Sequence, residues 1–431
     1  MKKINIGLIG FGNVGSGVVG ILNSRTAFLK EKIGVEISIK KVCDQDIASK
    51  RNVAVDKSIL TRNPREVIND PQIDVVVELI GGIHPAKEYI IESLNKGKNV
   101  VTANKALLAE EGRHLFALAQ DRGKSIYFEA SVGAGIPIIK SLREGLIANK
   151  FHSIFGILNG TSNFILSQMA GQHCSFRDAL LEAKAGGFAE KNPALDIEGT
   201  DSAHKLILLT YLCFGRFVRM DEIFIEGISS ISLSDINYAQ ELGFEIKLLA
   251  IAKKEKDELE VRVHPTLIPA CHLLSSVGGV FNAFYVSADL AGELLFYGPG
   301  AGQSCAASAV VSDLVDLTRD IKAGMFRSVM NTLVDKSIRK QRSINDYESR
   351  YYIRFMTVDK PGVLAKISGV LAKFGISIAS VSQKERRKTQ VVPIVMLTHE
   401  AKERNLHSAL EIINRLNIIK QKAVAIRIEE L

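Results

Sequence analysis

Cysteine is sparse in this 431-residue chain: five residues, Cys43, Cys174, Cys213, Cys271 and Cys305, with no Cys-x-x-Cys spacing. An odd count without paired spacing excludes a disulfide framework and a structural zinc site, and suits a reducing, cytoplasmic setting. Long apolar runs are also missing. Nothing approaches the ~20 residues of a membrane span, so no membrane is expected as a partner. The opening Met1-Lys-Lys-Ile-Asn-Ile-Gly is basic and then apolar, but glycine interrupts the run, which reads as a strand and not as a signal peptide. A concentrated basic face is absent as well. The net charge of +8 is spread along the chain, and its densest clusters, Lys336–Arg342 and Lys384–Lys388, are as short as solvated turns or linkers. No nucleic-acid module accompanies them, so nucleic acid is not expected either. What remains, 46% hydrophobic and 24% charged residues, is an ordinary globular composition long enough for two or three cored domains.

The N-terminal third reads as alternating strands and helices. Ile4–Ile9 is an apolar β-rich run that enters Gly10-Phe11-Gly12-Asn13-Val14-Gly15 and then a helical pattern. Glycines belong there because a tight turn and a pyrophosphate lying against a helix N-terminus leave no room for Cβ atoms. A second strand, Glu36–Cys43, ends at Asp44, where an acid would accept from a ribose 2′-hydroxyl and favour NAD. Gln45 follows it, and Lys57 is the base that could still reach a 2′-phosphate. Further strands are expected at 74–82, 98–102 and 125–128. They deliver Lys105 and Glu129 to the carboxyl edge of the sheet, and Glu129 is followed by a glycine-laced loop whose carbonyls, with a carboxylate, could hold a monovalent cation.

From about 140 to 300 this rhythm stops. Lys150–Leu158 reads as a strand entering the cap-rich turn Asn159-Gly-Thr-Ser-Asn163, and later strand-like runs at 260–264 and 283–286 suggest an antiparallel-type sheet that could serve as a dimer surface. Between them lies Gly199–Phe214, a helical pattern with Asp201 and Lys205 one turn apart above an apolar stripe. Alone, that pair would pass for an exposed ion pair. The loop before it, however, carries Glu190, Asp196 and Glu198, a set suited to a small zwitterion whose ammonium meets acids while a lysine faces an electrophile. Gly298-Pro-Gly-Ala-Gly302 precedes a helix expected to return to the first domain. After a basic, polar linker at 336–350, the order strand, helix, strand, strand, helix, strand is that of a ferredoxin-like unit.

Four motifs, Gly10–Gly15, Ala103-Asn-Lys105, Gly156-Ile-Leu-Asn-Gly-Thr-Ser-Asn163 and Asp196-Ile-Glu-Gly-Thr-Asp-Ser-Ala-His-Lys205, resemble homoserine dehydrogenase of the monofunctional type, and Asp359-Lys-Pro-Gly-Val-Leu364 resembles an ACT domain. The resemblance covers nearly the whole chain and implies an α/β architecture: a Rossmann-like doubly wound parallel sheet, an α+β substrate and dimerisation domain, and a ferredoxin-like ACT domain. The chain then divides into a dinucleotide-binding domain (1–135), a substrate and dimerisation domain (136–300), a return helix (301–335), a linker (336–350) and an ACT regulatory domain (351–431). The activity implied is NAD(P)-dependent interconversion of L-aspartate 4-semialdehyde and L-homoserine, in the biosynthesis of threonine, methionine and isoleucine. By resemblance Lys205 is the proton donor, Lys105 lies beside nicotinamide and substrate, Glu190 and Asp201 hold the amino acid, and Gly187 and Gly302 join Gly10–Gly15 and Asp44 in contacting the cofactor. Glu129 with the carbonyls of Val132, Ala134 and Ile136 would bind sodium. Gln45 stands where many relatives carry Arg, which leaves NADP and NAD both open. A homodimer or homotetramer is expected, with threonine as an effector at the ACT domain. A sensor that binds a dinucleotide and an amino acid without catalysis is the alternative, and it would not need Lys205.

Overall fold

The computed structural model describes residues 3–326, 337–338, 340–383 and 391–431; the basic cluster Lys384–Lys388, and Lys336 and Arg339 of the other cluster, lie outside the described residues. Two compact units emerge. The first takes in residues 1–151, 204–222 and 282–336, and the second takes in 152–203, 223–281 and 337–431.

In the first unit six strands, β1 (Lys3–Ile9), β2 (Glu36–Cys43), β3 (Leu60–Thr61), β4 (Val75–Glu78), β5 (Asn99–Thr102) and β6 (Ile126–Tyr127), form a sheet in the order β3-β2-β1-β4-β5-β6. Every pairing is parallel. The strands are apolar on both faces because helices cover both, as Val75, Val76 and Val77 at 0–1% exposure illustrate. Ile4, Ile6 and Leu8 pack with Val18, Val19 and Leu22 of the helix Asn13–Ile33 and with Val310, Leu314 and Leu317 of the helix Gln303–Ala323. Strand order reverses between β1 and β4, which opens a crevice at the carboxyl ends of the strands, where such sheets bind ligands.

In the second unit Phe151–Ile157, Phe244–Glu255 and Glu258–Pro269 run antiparallel as neighbours. Beyond them lie the strands Ile419–Ile428, Glu348–Val358, Val391–Thr398 and Ile378–Ser382, in that order. With the helices Val363–Lys373 and Glu403–Asn414, these last four strands are the ferredoxin-like unit. Alternation along Glu348–Val358 sorts its side chains. Tyr351, Ile353 and Phe355 pack with Ile367, Leu371 and Leu406 of those helices, whereas Tyr352 and Arg354 reach Asp235 on the helix Leu233–Glu241.

Lys340–Gln341 pairs with Glu258–Leu259, and Arg342 donates to Glu255 and Glu260, both at 2.7 Å. Thr266 and Leu267 pair in parallel with Arg427 and Ile428, so the ferredoxin-like sheet continues that of the substrate region. A hydrophobic strand edge left uncovered attracts other strands, and the last strand of the chain covers this one.

Candidate active site

The glycine turn is built by close approach. Gly10 has φ +105°, and a Cβ there would come within 2.6 Å of the Leu79 carbonyl carbon, while a Cβ on Gly15 would lie 2.1 Å from the Gly10 oxygen. Around Gly12 nothing lies within 4 Å of a Cβ, so that backbone faces open space at the start of the helix Asn13–Ile33. Phe11, Asn13 and Val14 complete the turn. A cavity of about 410 Å³ is lined by Gly10, Gly12, Asp44, Gln45, Ile80 and Tyr89. Helix Gln303–Ala323 begins behind Gly302 (φ +123°), and Gln303 Nε2 donates to the Asn13 carbonyl at 2.9 Å and to Ser16 Oγ at 3.0 Å. Gly302 therefore stands beside the glycine turn. A residue that sequence reasoning missed joins this crevice: Arg51 lies 3.7 Å from Asp44 and 4.8 Å above the Phe11 ring.

Lys105 is the first residue of the helix Lys105–Asp121 and is half-buried, behind the cap that Asn104 Oδ1 makes to Leu107 N at 3.2 Å. The support beneath it was also missed. Glu78, fully buried at the end of β4, accepts from Thr102 Oγ1 at 2.7 Å and from Ile80 N at 2.8 Å. Asn104 N donates to Thr102 Oγ1 at 3.0 Å and Asn104 Nδ2 to the Gly82 carbonyl at 2.6 Å, so one carboxylate braces both crevice loops. Burial pushes the Glu78 carboxyl up from its ordinary range. Nothing in a Val-Val-Val-Glu strand signals such a brace.

Glu129 lies in the turn Glu129–Ser131, where its two oxygens accept from Ile139 N at 2.9 Å and Lys140 N at 2.8 Å. Its own N–H donates to Asp313 Oδ2 at 2.8 Å. Burial pushes Glu129 up to about 7, and burial together with the Glu129 charge raises Asp313 well above the carboxylate range. Val132 and Ile136 are buried, and Ala134 has φ +49°. Glu129 and Asp313 thus set two buried acids beside this loop. Among the described residues no group of three or more His, Cys, Asp or Glu side chains is placed to bind a metal, so the carbonyls would have to carry the ligation.

In the second unit, Asn159 caps the helix Gly160–Gln172 through Oδ1, and its Nδ2 donates to Asp196 at 2.7 Å and Asp201 at 2.9 Å. Gly160 allows this turn, since a Cβ there would sit 2.8 Å from the Val280 oxygen. Gly187 (φ +72°) and Glu190 occupy the exposed loop, which Thr161 Oγ1 ties down through the Phe188 carbonyl at 2.7 Å. The helix Thr200–Phe214 carries Asp201 in its first turn and Lys205 one turn later, each 8% exposed. Neither is the solvent-facing charge of an ordinary surface ion pair.

A glycine turn at the switch point of a parallel sheet, with a buried lysine and a bridged acid pair, defines a dinucleotide-dependent oxidoreductase, here carrying an appended ferredoxin-like unit. Comparison narrows the class. Residues 10–129 match the NAD binding domain of homoserine dehydrogenase, residues 137–315 match homoserine dehydrogenase itself, and residues 351–417 match the ACT domain. The homoserine dehydrogenase of Neisseria gonorrhoeae is 42% identical over 100% of both chains. The crystal structure of a homoserine dehydrogenase from Thiobacillus denitrificans superposes with a TM-score of 0.93 at 42% identity, covering 100% of this chain and 99% of that one. A hyperthermophilic archaeal homoserine dehydrogenase in complex with NADPH is similar over 75% of this chain and 100% of its own, at 27% identity and a TM-score of 0.64. The chain belongs to the homoserine dehydrogenase family. It is an NAD(P)-dependent oxidoreductase with an ACT domain, and no described helix is long and apolar enough to cross a membrane.

Proposed function

We propose that the chain interconverts L-aspartate 4-semialdehyde and L-homoserine in the cytoplasm, in the route to threonine, methionine and isoleucine. The observation that carries this reading is the burial of both Asp201 and Lys205 on one helix. The bound dinucleotide supplies the hydride in reduction and accepts it in oxidation. As the aldehyde carbon is reduced, its oxygen gains negative charge, and the Lys205 ammonium both stabilises that oxygen and protonates it. In the reverse direction the neutral Lys205 amine takes the hydroxyl proton. Asp201 and Glu190 bind the substrate ammonium, and Lys105 adds positive charge beside the reacting centre. Gly10–Gly15, Asp44, Gly187 and Gly302 contact the dinucleotide. Sodium at Glu129 and the carbonyls of Val132, Ala134 and Ile136 offsets buried negative charge.

The ACT domain takes threonine as effector in the cavity of about 380 Å³ lined by Asp359, Lys360, Gly362, Leu364, Gln383 and Ile394. Two or four chains assemble, a reading that the exposed Leu295 and Tyr297 of the strand Gly292–Pro299 support. A homoserine-dependent rise in absorbance at 340 nm, measured separately with NAD and NADP, tests the activity. No rise with either cofactor would overturn it.

A further inference from the structure

The amide of Asn159 works at both ends. Its oxygen accepts from Ser162 N at 2.8 Å and caps a helix, whereas its nitrogen donates one hydrogen to Asp196 Oδ1 and the other to Asp201 Oδ2. These three side chains come from three places: the end of the strand Phe151–Ile157, the short helix Ala194–Ile197, and the first turn of Thr200–Phe214. Asn159 is 5% exposed and Asp201 8%. Two carboxylates this close repel each other in a site that holds little water, and a neutral amide orients them without cancelling their charge.

The geometry points to Asn159 as the positioning residue of the ammonium seat: it fixes the separation of Asp196 and Asp201 so that both address the α-ammonium of the substrate. It touches no reacting atom. This inference rests on the proposed role of Asp201 in binding the amino acid.

Two variants of the full-length protein separate positioning from capping. Asn159→Ser and Asn159→Asp both keep a cap acceptor, because Ser and Asp are good N-cap residues, but neither can donate to the acids as the amide does. The loss of hydrogen bonds to charged groups should raise KM for homoserine about tenfold to a hundredfold in Asn159→Ser, with KM for the dinucleotide unchanged. Asn159→Asp sets a third carboxylate against the pair, which pushes the acids apart, so its KM for homoserine should rise as well.

A folded Asn159→Ser protein with unchanged KM for homoserine overturns the proposal. So does a parallel rise in both KM values, which would mean general loosening. If Asn159→Ser does not fold, the same two KM values measured on Asn159→Asp decide in the same way. Asp201→Ala is the control. If it leaves KM for homoserine unchanged, the underlying reading of the substrate site has failed; if it raises KM and the Asn159 variants do not, only the positioning role is lost.

Discussion

Asp44 Oδ2 accepts the backbone N–H of Phe11 at 2.6 Å, so the acid at the end of β2 and the glycine turn are joined. Its other oxygen accepts Asp46 N at 2.8 Å. Arg51 closes the arrangement from outside, donating to the carbonyls of Phe11 at 2.6 Å, Ser49 at 2.8 Å and Asp46 at 2.5 Å. Three of the five guanidinium N–H groups are thus held by backbone carbonyls, which braces the loop.

Cofactor choice follows. With Asp44 in the crevice, Gln45 beside it and Arg51 bonded to three backbone carbonyls, a 2′-phosphate meets negative charge, and NAD should be used at least as well as NADP. The ratio of kcat/KM for the two cofactors decides this. A value more than about tenfold in favour of NADP would mean that Lys57 or a rearranged Arg51 compensates for Asp44.

Lys205→Ala should abolish turnover and leave dinucleotide affinity nearly intact, because the amine acts on charge that develops only in the transition state. Loss of a general acid costs about 10²–10⁴-fold in rate. Single-turnover kinetics together with a cofactor titration separate the two quantities, and a wild-type-like kcat would remove Lys205 from the mechanism.

Glu129 makes stability depend on pH. Burial raises its folded value from the ordinary 4.5 to about 7, so ionisation opposes folding. Its contribution is most favourable below about pH 4.5, is lost as pH rises towards 7, and is constant above that. The size follows from the difference, about 3 kcal/mol at most. Glu129→Gln should flatten that part of the stability curve. At pH 8, replacing choline chloride by sodium chloride at constant ionic strength should raise the Tm of the wild type and not of the variant; equal responses would exclude sodium at this carboxylate.

Arg354 and Asp235 form a bidentate pair at 2.6 and 2.9 Å, with Asp235 fully buried. Arg354→Ala leaves that carboxylate buried without its cation and should cost about 3–5 kcal/mol in chemical denaturation. A loss below about 1 kcal/mol would show that water reaches Asp235 readily.

Threonine inhibition is the last expectation. A deletion beyond residue 342 is a poor test, because it strips Ile419–Ile428 from the edge of Glu258–Pro269 and destabilises the substrate region as well. Substitution in the ACT cavity is cleaner. Gly362 has φ +86° at the head of the helix Val363–Lys373, so Gly362→Val strains the turn that would receive a carboxylate. Millimolar threonine should inhibit the wild type and not Gly362→Val, with basal turnover similar in both. A wild type insensitive to threonine and other aspartate-family amino acids would leave the ACT domain without this effector.

What the sequence determined by itself was local. The glycine turn was legible because its sterics act within six residues, Gly15 against Gly10, and the strands and helices were legible because periods of 2 and 3.6 are written along one segment. Lys205 and Asp201 could be paired from the sequence for the same reason. Tertiary structure alone decided which distant groups meet: Arg51 reaches Phe11 across 40 residues, Asn159 reaches Asp196 across 37, and Thr102 reaches Glu78 across 24. It also decided that the last strand of the ferredoxin-like unit would lie beside Glu258–Pro269. Those contacts depend on strand register and on which helix face turns inward, and both are set by burying the whole core together, which no single segment encodes.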